Sequence, residues 1–151
     1  MENSESVFRA SLLLVKHFKD CIERGGKGFH SRVFTCFLHP EVDFVGVGQS
    51  QEVIDGEPAH PEHIVPCVVM IVEACRLIKQ GKPEEEIAHL MSKHWKIAFI
   101  SKKQAAHLDS KAGMNMKHRM PDGWNFESGD TYERLNRAGI ELLPFANGRR
   151  P

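Results

Sequence analysis

The segment Pro66–Gln80, PCVVMIVEACRLIKQ, is the most informative stretch of this chain. Its apolar positions cover too much of a helix circumference for a surface helix, so the pattern predicts a central one. Proline is tolerated in the first helical turn but costs about 3 kcal/mol in a helix interior, which puts the start near Pro66. Gly81 follows as a C-terminal stop. The sequence therefore predicts a central apolar helix near residues 66–80.

Upstream of this helix, the segment 29–47 is rich in β-branched and aromatic residues. Phe29–Leu38 (FHSRVFTCFL) and Val42–Val47 (VDFVGV) flank a turn-like His-Pro-Glu, a pattern that favours a β-hairpin near residues 29–47. An amphipathic helix is predicted before it, from about Ser6 to a stop at Gly25 and Gly26. The segment Gly48–Pro61 has the glycines, prolines and acids of a surface loop.

Downstream, the chain alternates between helical and strand patterns. A helix is expected after Lys82–Pro83, a strand at Trp95–Ile100 and a helix capped by Ser101. A short helix near residues 129–138 and a last strand near 140–145 complete the order. This order predicts one α+β domain over residues 1–151, with a small mixed sheet against the central helix.

Composition narrows the class of protein. The 151 residues include 20 Lys plus Arg, 20 Asp plus Glu and 41% hydrophobic residues, as expected of a globular chain and not of a disordered one. No apolar run reaches the roughly 18 residues of a membrane span, and the first residues are acidic where a signal peptide is basic. Four scattered cysteines form no CxxC pair. We therefore expect a soluble cytoplasmic protein without a membrane partner.

Residues 57–67, EPAHPEHIVPC, concentrate the groups that bind metals. Imidazole, carboxylate and thiolate are the ligands of zinc and related ions. The sequence predicts a divalent metal, zinc or magnesium, with these candidate ligands: His60, Glu62, Cys67 and His89.

Glu62-His63-Ile64-Val65-Pro66 resembles the acidic-His-Ile-Val-Pro tag of the HNH, or His-Me finger, nucleases. In that family the tag ends a β-strand, the residue before the histidine helps bind a divalent metal, and the histidine activates the attacking water. The resemblance implies that Glu62 is a metal ligand and His63 the general base. A second ligand would come from a following helix, with His89 or His94 as candidates. The chain departs from the family by a long apolar helix after the tag and by the absence of zinc-knuckle cysteines.

Charge is distributed unevenly along the chain. Residues 41–62 contain six acidic side chains and no Lys or Arg, whereas residues 93–119 are rich in Lys and Arg. Cutting a phosphodiester needs carboxylates that hold a divalent ion and cations that hold the backbone. These observations predict a small metal-dependent hydrolase, specifically a nuclease, with these phosphate-binding candidates: Lys102, Lys103, Lys117 and Arg119.

Other functions are compatible with the same residues. Trp124 follows a Pro-Asp-Gly turn in the loop 117–124, where an aromatic beside cations could dock nucleic acid or protein. That pattern favours a non-catalytic regulatory or accessory binding protein. Cys67, near a helix N-terminus, could also pair with His63 as a nucleophile. A third interpretation has no site at all, with the histidines scattered over the surface.

Overall fold

The computed structural model describes residues 2–26, 29–148 and 150–151. Its helices and strands, in chain order, are α1 (Glu2–Glu23), α2 (Val33–Phe37), α3 (Glu41–Val45), β1 (Gly46–Gln49), α4 (Gln51–Ile54), β2 (Ala59–His63), α5 (Cys67–Lys79), α6 (Glu84–His94), β3 (Ile97–Ser101), α7 (Lys102–Asp109) and α8 (Glu133–Arg137), followed by a 3-10 turn at Ala146–Gly148. Among these described segments, no helix is both long and apolar enough to cross a membrane.

The three strands form one mixed sheet in the order β1-β3-β2. The central strand β3 runs parallel to β1 and antiparallel to β2, with His63 paired to Ile97 and Ala59 to Ser101. Every residue of β3 is buried, which explains why IAFIS reads as a continuous apolar run without alternation. The predicted α+β class with a small mixed sheet is confirmed.

Helix α5 occupies the predicted position, with Pro66 immediately before its first residue. Met70, Ala74 and Leu77 are buried in the main hydrophobic core, together with residues of α1 and α6. The opposite face of α5 is open, because Val68 is 38% and Val72 58% exposed. The helix is therefore central along one side only, although its sequence is apolar nearly all round.

The predicted hairpin at residues 29–47 is wrong. This segment forms the short helices α2 and α3, and only its end enters the sheet as β1. Phe34 and Leu38 are both buried, as are Glu41 and Val45, and each pair has the four-residue spacing of a helix face. The β-branched and aromatic composition reflects burial in the core and not a strand period of two.

The loop predicted at Gly48–Pro61 contains α4 and most of β2. A strand that includes Pro61 was not expected, because proline cannot donate to a sheet ladder. The order of the sheet explains it, since β2 is an edge strand and has only β3 as a neighbour.

The structure tests two predictions for the second half of the chain, the helix cap at Ser101 and the last strand. Ser101 is the N-cap of α7: its hydroxyl accepts from the Gln104 N–H at 3.0 Å, and the Gln104 side chain accepts from the Ser101 N–H. The strand expected near residues 140–145 is reduced to an isolated bridge between Gln49 and Leu143.

Candidate active site

An open cleft of about 810 Å³ lies where β2 ends and α5 begins. Its walls also include the segment before α2, the last residue of α7 and the loop that carries Lys117. The lining residues with ionisable or nucleophilic side chains are Arg32, His60, Glu62, His63, Cys67, Asp109, Lys117 and His118. The cleft therefore contains most of the tag region and one of the predicted phosphate-binding cations.

His63 is held by a carboxylate from a distant part of the chain. Its Nε2 atom lies 2.5 Å from Oε1 of Glu41, and the same oxygen accepts from Nε1 of Trp95 at 2.6 Å. The other Glu41 oxygen accepts from the Thr35 hydroxyl at 3.3 Å. The Glu41 side chain is 8% exposed, whereas His63 is 27% exposed and lines the cleft. Glu41 is therefore fully enclosed by donors, and His63 has one side available to a ligand.

The charges of this pair follow from their contacts. Burial lowers the pKa of His63, but hydrogen bonds with Cys67 and Glu41, and the charges of both, raise it to about 10. Burial raises the pKa of Glu41, but its hydrogen bonds with His63, Trp95 and Thr35 bring it below the usual value. At neutral pH the pair is an imidazolium and a carboxylate.

Cys67 is the first residue of α5 and lies in the cleft beside His63. It is four residues after the histidine, and its side-chain hydrogen bond is one of the interactions that raise the pKa of His63. Within the described residues, nothing accepts a hydrogen bond from the N–H groups of Cys67 or Val68. The thiol therefore shares the cleft with the His63 ring and lies in the same helical turn as two free backbone donors.

Glu62 points to a different partner from His63. Its Oε1 atom accepts from Nη2 of Arg134 at 2.8 Å, and its Oε2 atom lies 3.1 Å from Nε2 of His60. Arg134 is fully buried and also donates to the carbonyl oxygens of His63, Ile64 and Met116, at 2.6, 3.2 and 3.0 Å. This arginine fixes the end of β2 from behind and compensates the charge of Glu62.

The predicted metal ligands do not converge. Among the described residues, no three His, Cys, Asp or Glu side chains lie close enough together to hold an ion. His89 stacks on Phe8 of α1, with ring centroids 4.3 Å apart, and His94 is buried against Thr131 and the Phe126 carbonyl. Metal binding at His60, Glu62 and Cys67 stays a prediction.

The predicted phosphate-binding residues are divided between different surfaces. Lys117 lines the cleft, whereas Lys103 pairs with Glu57 at 3.3 Å and Arg119 with the Asn115 carbonyl at 2.7 Å. Lys102 is exposed at the start of α7. Trp124 packs beside His94, with ring centroids 5.0 Å apart, and donates to the Asp130 carbonyl at 2.9 Å. The indole is half-buried and packs against the core, and docking of a partner by the loop 117–124 stays a prediction.

Sequence reasoning missed the residues that organise the cleft. Glu41, Trp95 and Arg134 come from separate elements, and nothing in their immediate sequence distinguishes them from ordinary surface or core positions. The His-to-Cys spacing is visible in the sequence, but it occurs twice, because His17 and Cys21 form the same four-residue pair on the exposed side of α1. A buried carboxylate partner distinguishes the second pair, and only the folded chain provides it.

Comparison with known proteins gives no relative: no family model, no curated protein and no solved structure matches this chain.

Proposed function

We propose that this protein is a thiol-dependent hydrolase of acyl compounds, with Cys67 as nucleophile, His63 as its acid–base partner and Glu41 as the residue that orients His63. The observation that supports this proposal most directly is the pairing of His63 with the buried Glu41, at 2.5 Å, in the cleft that Cys67 also lines. A nucleophile, a base and an orienting group around one cleft are the parts that activate cysteine and serine hydrolases on unrelated folds.

The chemistry proceeds in two steps. The Cys67 thiolate, paired with the His63 imidazolium, attacks the acyl carbon of an ester, thioester or amide and forms a C–S bond. The bond to the leaving group breaks, and the leaving group takes the proton of His63. A water molecule then returns a proton to His63 while its oxygen attacks the thioester. The C–S bond breaks, which releases the acid and restores the thiolate.

The start of α5 supplies the stabilisation that this reaction needs. Each step passes through a tetrahedral intermediate with negative charge on the former carbonyl oxygen. The unpaired N–H groups of Cys67 and Val68 are donors in the same turn as the sulfur, and they are already in place before substrate binds. Removal of one such donor in other enzymes costs about 100- to 1000-fold in rate. Glu41 keeps the ring of His63 from rotating between the two steps.

The cellular setting follows from the same chemistry. All four cysteines are free thiols, Cys67 among them. A catalytic thiol persists where glutathione and thioredoxin keep it reduced, so the proposal places the protein in the cytoplasm.

A nuclease is the second candidate, and one observation favours it. β2 ends at His63 and pairs antiparallel with β3, and α7 follows directly and packs on both strands. Asp109, the last residue of α7, lines the same cleft as Glu62, so a following helix does bring a carboxylate to the tag. The donor set does not fit an ion in this arrangement, because Glu62 is bound to Arg134 and the described residues form no metal group. We therefore derive no metal-dependent step.

The protonation of His63 favours the thiol proposal. A general base that activates water must be neutral at rest, whereas Glu41 and Cys67 raise the pKa of His63 to about 10. An imidazolium is instead the required partner of a thiolate nucleophile.

The deciding experiment compares the two His-Cys pairs of the chain. Hydrolysis of short p-nitrophenyl esters and thioesters is measured for wild type, Cys67→Ala and His63→Gln, with Cys21→Ala and His17→Gln as matched controls. We expect losses of about 1000-fold or more in the first two variants and none in the controls. Alkylation by iodoacetamide, located by mass spectrometry, should be fastest at Cys67.

Equal turnover in Cys67→Ala and wild type would refute the proposal. The same proteins are therefore also tested on DNA and RNA with added Mg²⁺ or Mn²⁺. Cleavage that survives Cys67→Ala but is lost in Glu62→Gln and Asp109→Asn would establish the second candidate instead.

A further inference from the structure

A second cavity lies along α5 beside the cleft at Cys67. This groove has a volume of about 570 Å³ and is lined by Ile22, Gly25, Gly26, Phe29, Ile71, Val72, Cys75 and Lys79. Phe29 and Ile71 belong to the walls of both cavities. A ligand that begins at the Cys67 sulfur can therefore extend along the helix without leaving the protein surface.

The groove is apolar along its length. Val68, Ile71, Val72 and Cys75 recur at spacings of three and four, so they form one stripe along α5. Val72 is 58% exposed although it belongs to the most apolar helix of the chain. Lys79 ends the stripe, where its aliphatic stem can cover apolar surface while its ammonium group stays in water.

We propose that this groove binds the hydrocarbon chain of the substrate, so that the hydrolase is selective for esters or thioesters of medium- to long-chain fatty acids. This inference rests on the proposed function, because the reacting carbonyl is placed at Cys67. From Cys67 to Cys75 the helix rises about 12 Å, which is about the extended length of a ten-carbon acyl chain. The occupant follows from continuity: the stripe starts in the turn that bears the nucleophile.

Two properties of the groove suit an acyl chain. Phe29 and the helix stripe present carbon surface on two sides, as small-molecule sites for apolar ligands do. Among the described residues, Lys79 is the one charged residue that lines this cavity, and it lies at the far end. Between Val68 and Cys75 on this stripe, the residues that the structure describes offer a peptide or nucleotide substituent no polar side chain. A hydrocarbon needs none.

The test measures chain-length selectivity. For p-nitrophenyl esters from acetate to decanoate, kcat/KM in wild type should rise by about twofold per methylene group. This factor corresponds to half the free energy gained when a methylene group is completely buried. Val72→Asp should lower the decanoate-to-acetate ratio by about tenfold or more, since a carboxylate in the groove penalises the apolar chain. Leu13→Asp is the matched control, because Leu13 is an equally exposed apolar residue on α1. Its ratio should equal that of wild type.

A binding measurement separates this inference from the proposed function. The fluorescence of cis-parinaric acid, a fatty acid, is titrated with Cys67→Ala protein, alone and combined with Val72→Asp or Leu13→Asp. We expect saturable binding that is weakened at least tenfold by Val72→Asp alone. If no ester is hydrolysed at all, the proposed function fails, and this titration still decides on the groove.

Three results would overturn the inference. They are a decanoate-to-acetate ratio that is unchanged by Val72→Asp, fatty-acid binding that is equal in the two aspartate variants, and dissociation of a dimer by Val72→Asp without any change in selectivity. The last result would make the exposed stripe an interface with a second copy of the chain.

Discussion

Nε2 of His63 lies 2.5 Å from Oε1 of Glu41, a residue 22 positions earlier in the chain. The carboxylate comes from the first turn of α3 and the imidazole from the last residue of β2. The same carboxylate oxygen accepts the indole N–H of Trp95, which follows α6. One buried anion therefore joins three elements at the edge of the cleft, and it sets both the orientation and the charge of His63.

Glu41→Gln should lower the pKa of His63. The substitution keeps the shape of the side chain but removes the charge that stabilises the imidazolium. NMR titration of the His63 ring, assigned with His63→Gln, should show the change, and ester hydrolysis should fall by about 10-fold or more. Glu57→Gln removes a carboxylate of an exposed pair and serves as the control. An unaltered titration of His63 in Glu41→Gln would show that the carboxylate does not control it.

The stability of the protein should depend on pH through His63. Its pKa is about 10 in the folded chain and ordinarily 6.5, so the folded state binds this proton more tightly. The stabilisation is complete below about pH 6.5 and is lost as the pH rises through about 10. The free energy of unfolding in urea, measured between these limits, should fall more steeply for wild type than for His63→Gln. Parallel pH profiles in the two proteins would contradict the assignment.

Glu41 should contribute a complementary dependence at acid pH. Its pKa is lower in the folded chain than the ordinary 4.5, so its stabilisation is present above about pH 4.5 and is lost as the pH falls through the lowered value. Acid unfolding of Glu41→Gln should therefore lack part of the transition seen in wild type. Circular dichroism during acid titration measures this difference, and an identical acid midpoint in both proteins would exclude the contribution.

Arg134→Met should destabilise the fold strongly. The guanidinium is fully buried, and its loss leaves Glu62 and three carbonyl oxygens without their donor. Breaking a buried ion pair from one side costs about 3–5 kcal/mol. Arg137→Met, three residues later, removes only an exposed pair with Glu133 and should cost less than about 1 kcal/mol. Thermal unfolding of the two variants tests the contrast, which would vanish if Arg134 had no structural role.

Trp124→Ala distinguishes a packing role from a docking role. The indole contacts His94 and donates to the Asp130 carbonyl, so we expect a loss of about 2 kcal/mol or more in the free energy of unfolding. Arg119→Ala in the same loop should cost less than about 1 kcal/mol. A Trp124→Ala protein with the stability of wild type would favour the alternative in which the loop 117–124 docks a partner.

Sequence patterns correctly predicted the helices and the strand whose conformation is set by residues nearby in the chain. Pro66 before an apolar run marked the start of α5, and Ser101 with Gln104 formed the capping box that begins α7. The run at Ile97–Ser101 gave a strand because its residues are apolar on both faces. These predictions depend on residues within a few positions of one another, and such interactions survive in almost any tertiary context.

Prediction from local sequence failed where the residue composition suggests one backbone conformation and the spacing of the buried residues requires another. The segment 29–47 has strand-like composition, yet its buried residues have helical spacing because α1 packs against both short helices. β2 contains a proline that argues against a strand, and it forms because it pairs on one side only. In both cases the neighbours in space, and not those in sequence, set the backbone conformation.

The candidate site also has some features that the sequence shows and others that only folding creates. The four-residue spacing from histidine to cysteine is present in the chain at His17 and Cys21 as well as at His63 and Cys67, so spacing cannot tell one pair from the other. Folding places the second pair in a cleft, encloses Glu41 beside it and leaves the first pair on the exposed side of α1. The reactive groups themselves, His63 and Cys67, are close together in the sequence. Their charge and orientation come from a carboxylate that is distant in sequence, because its electrostatic effect is strong only after water has been excluded.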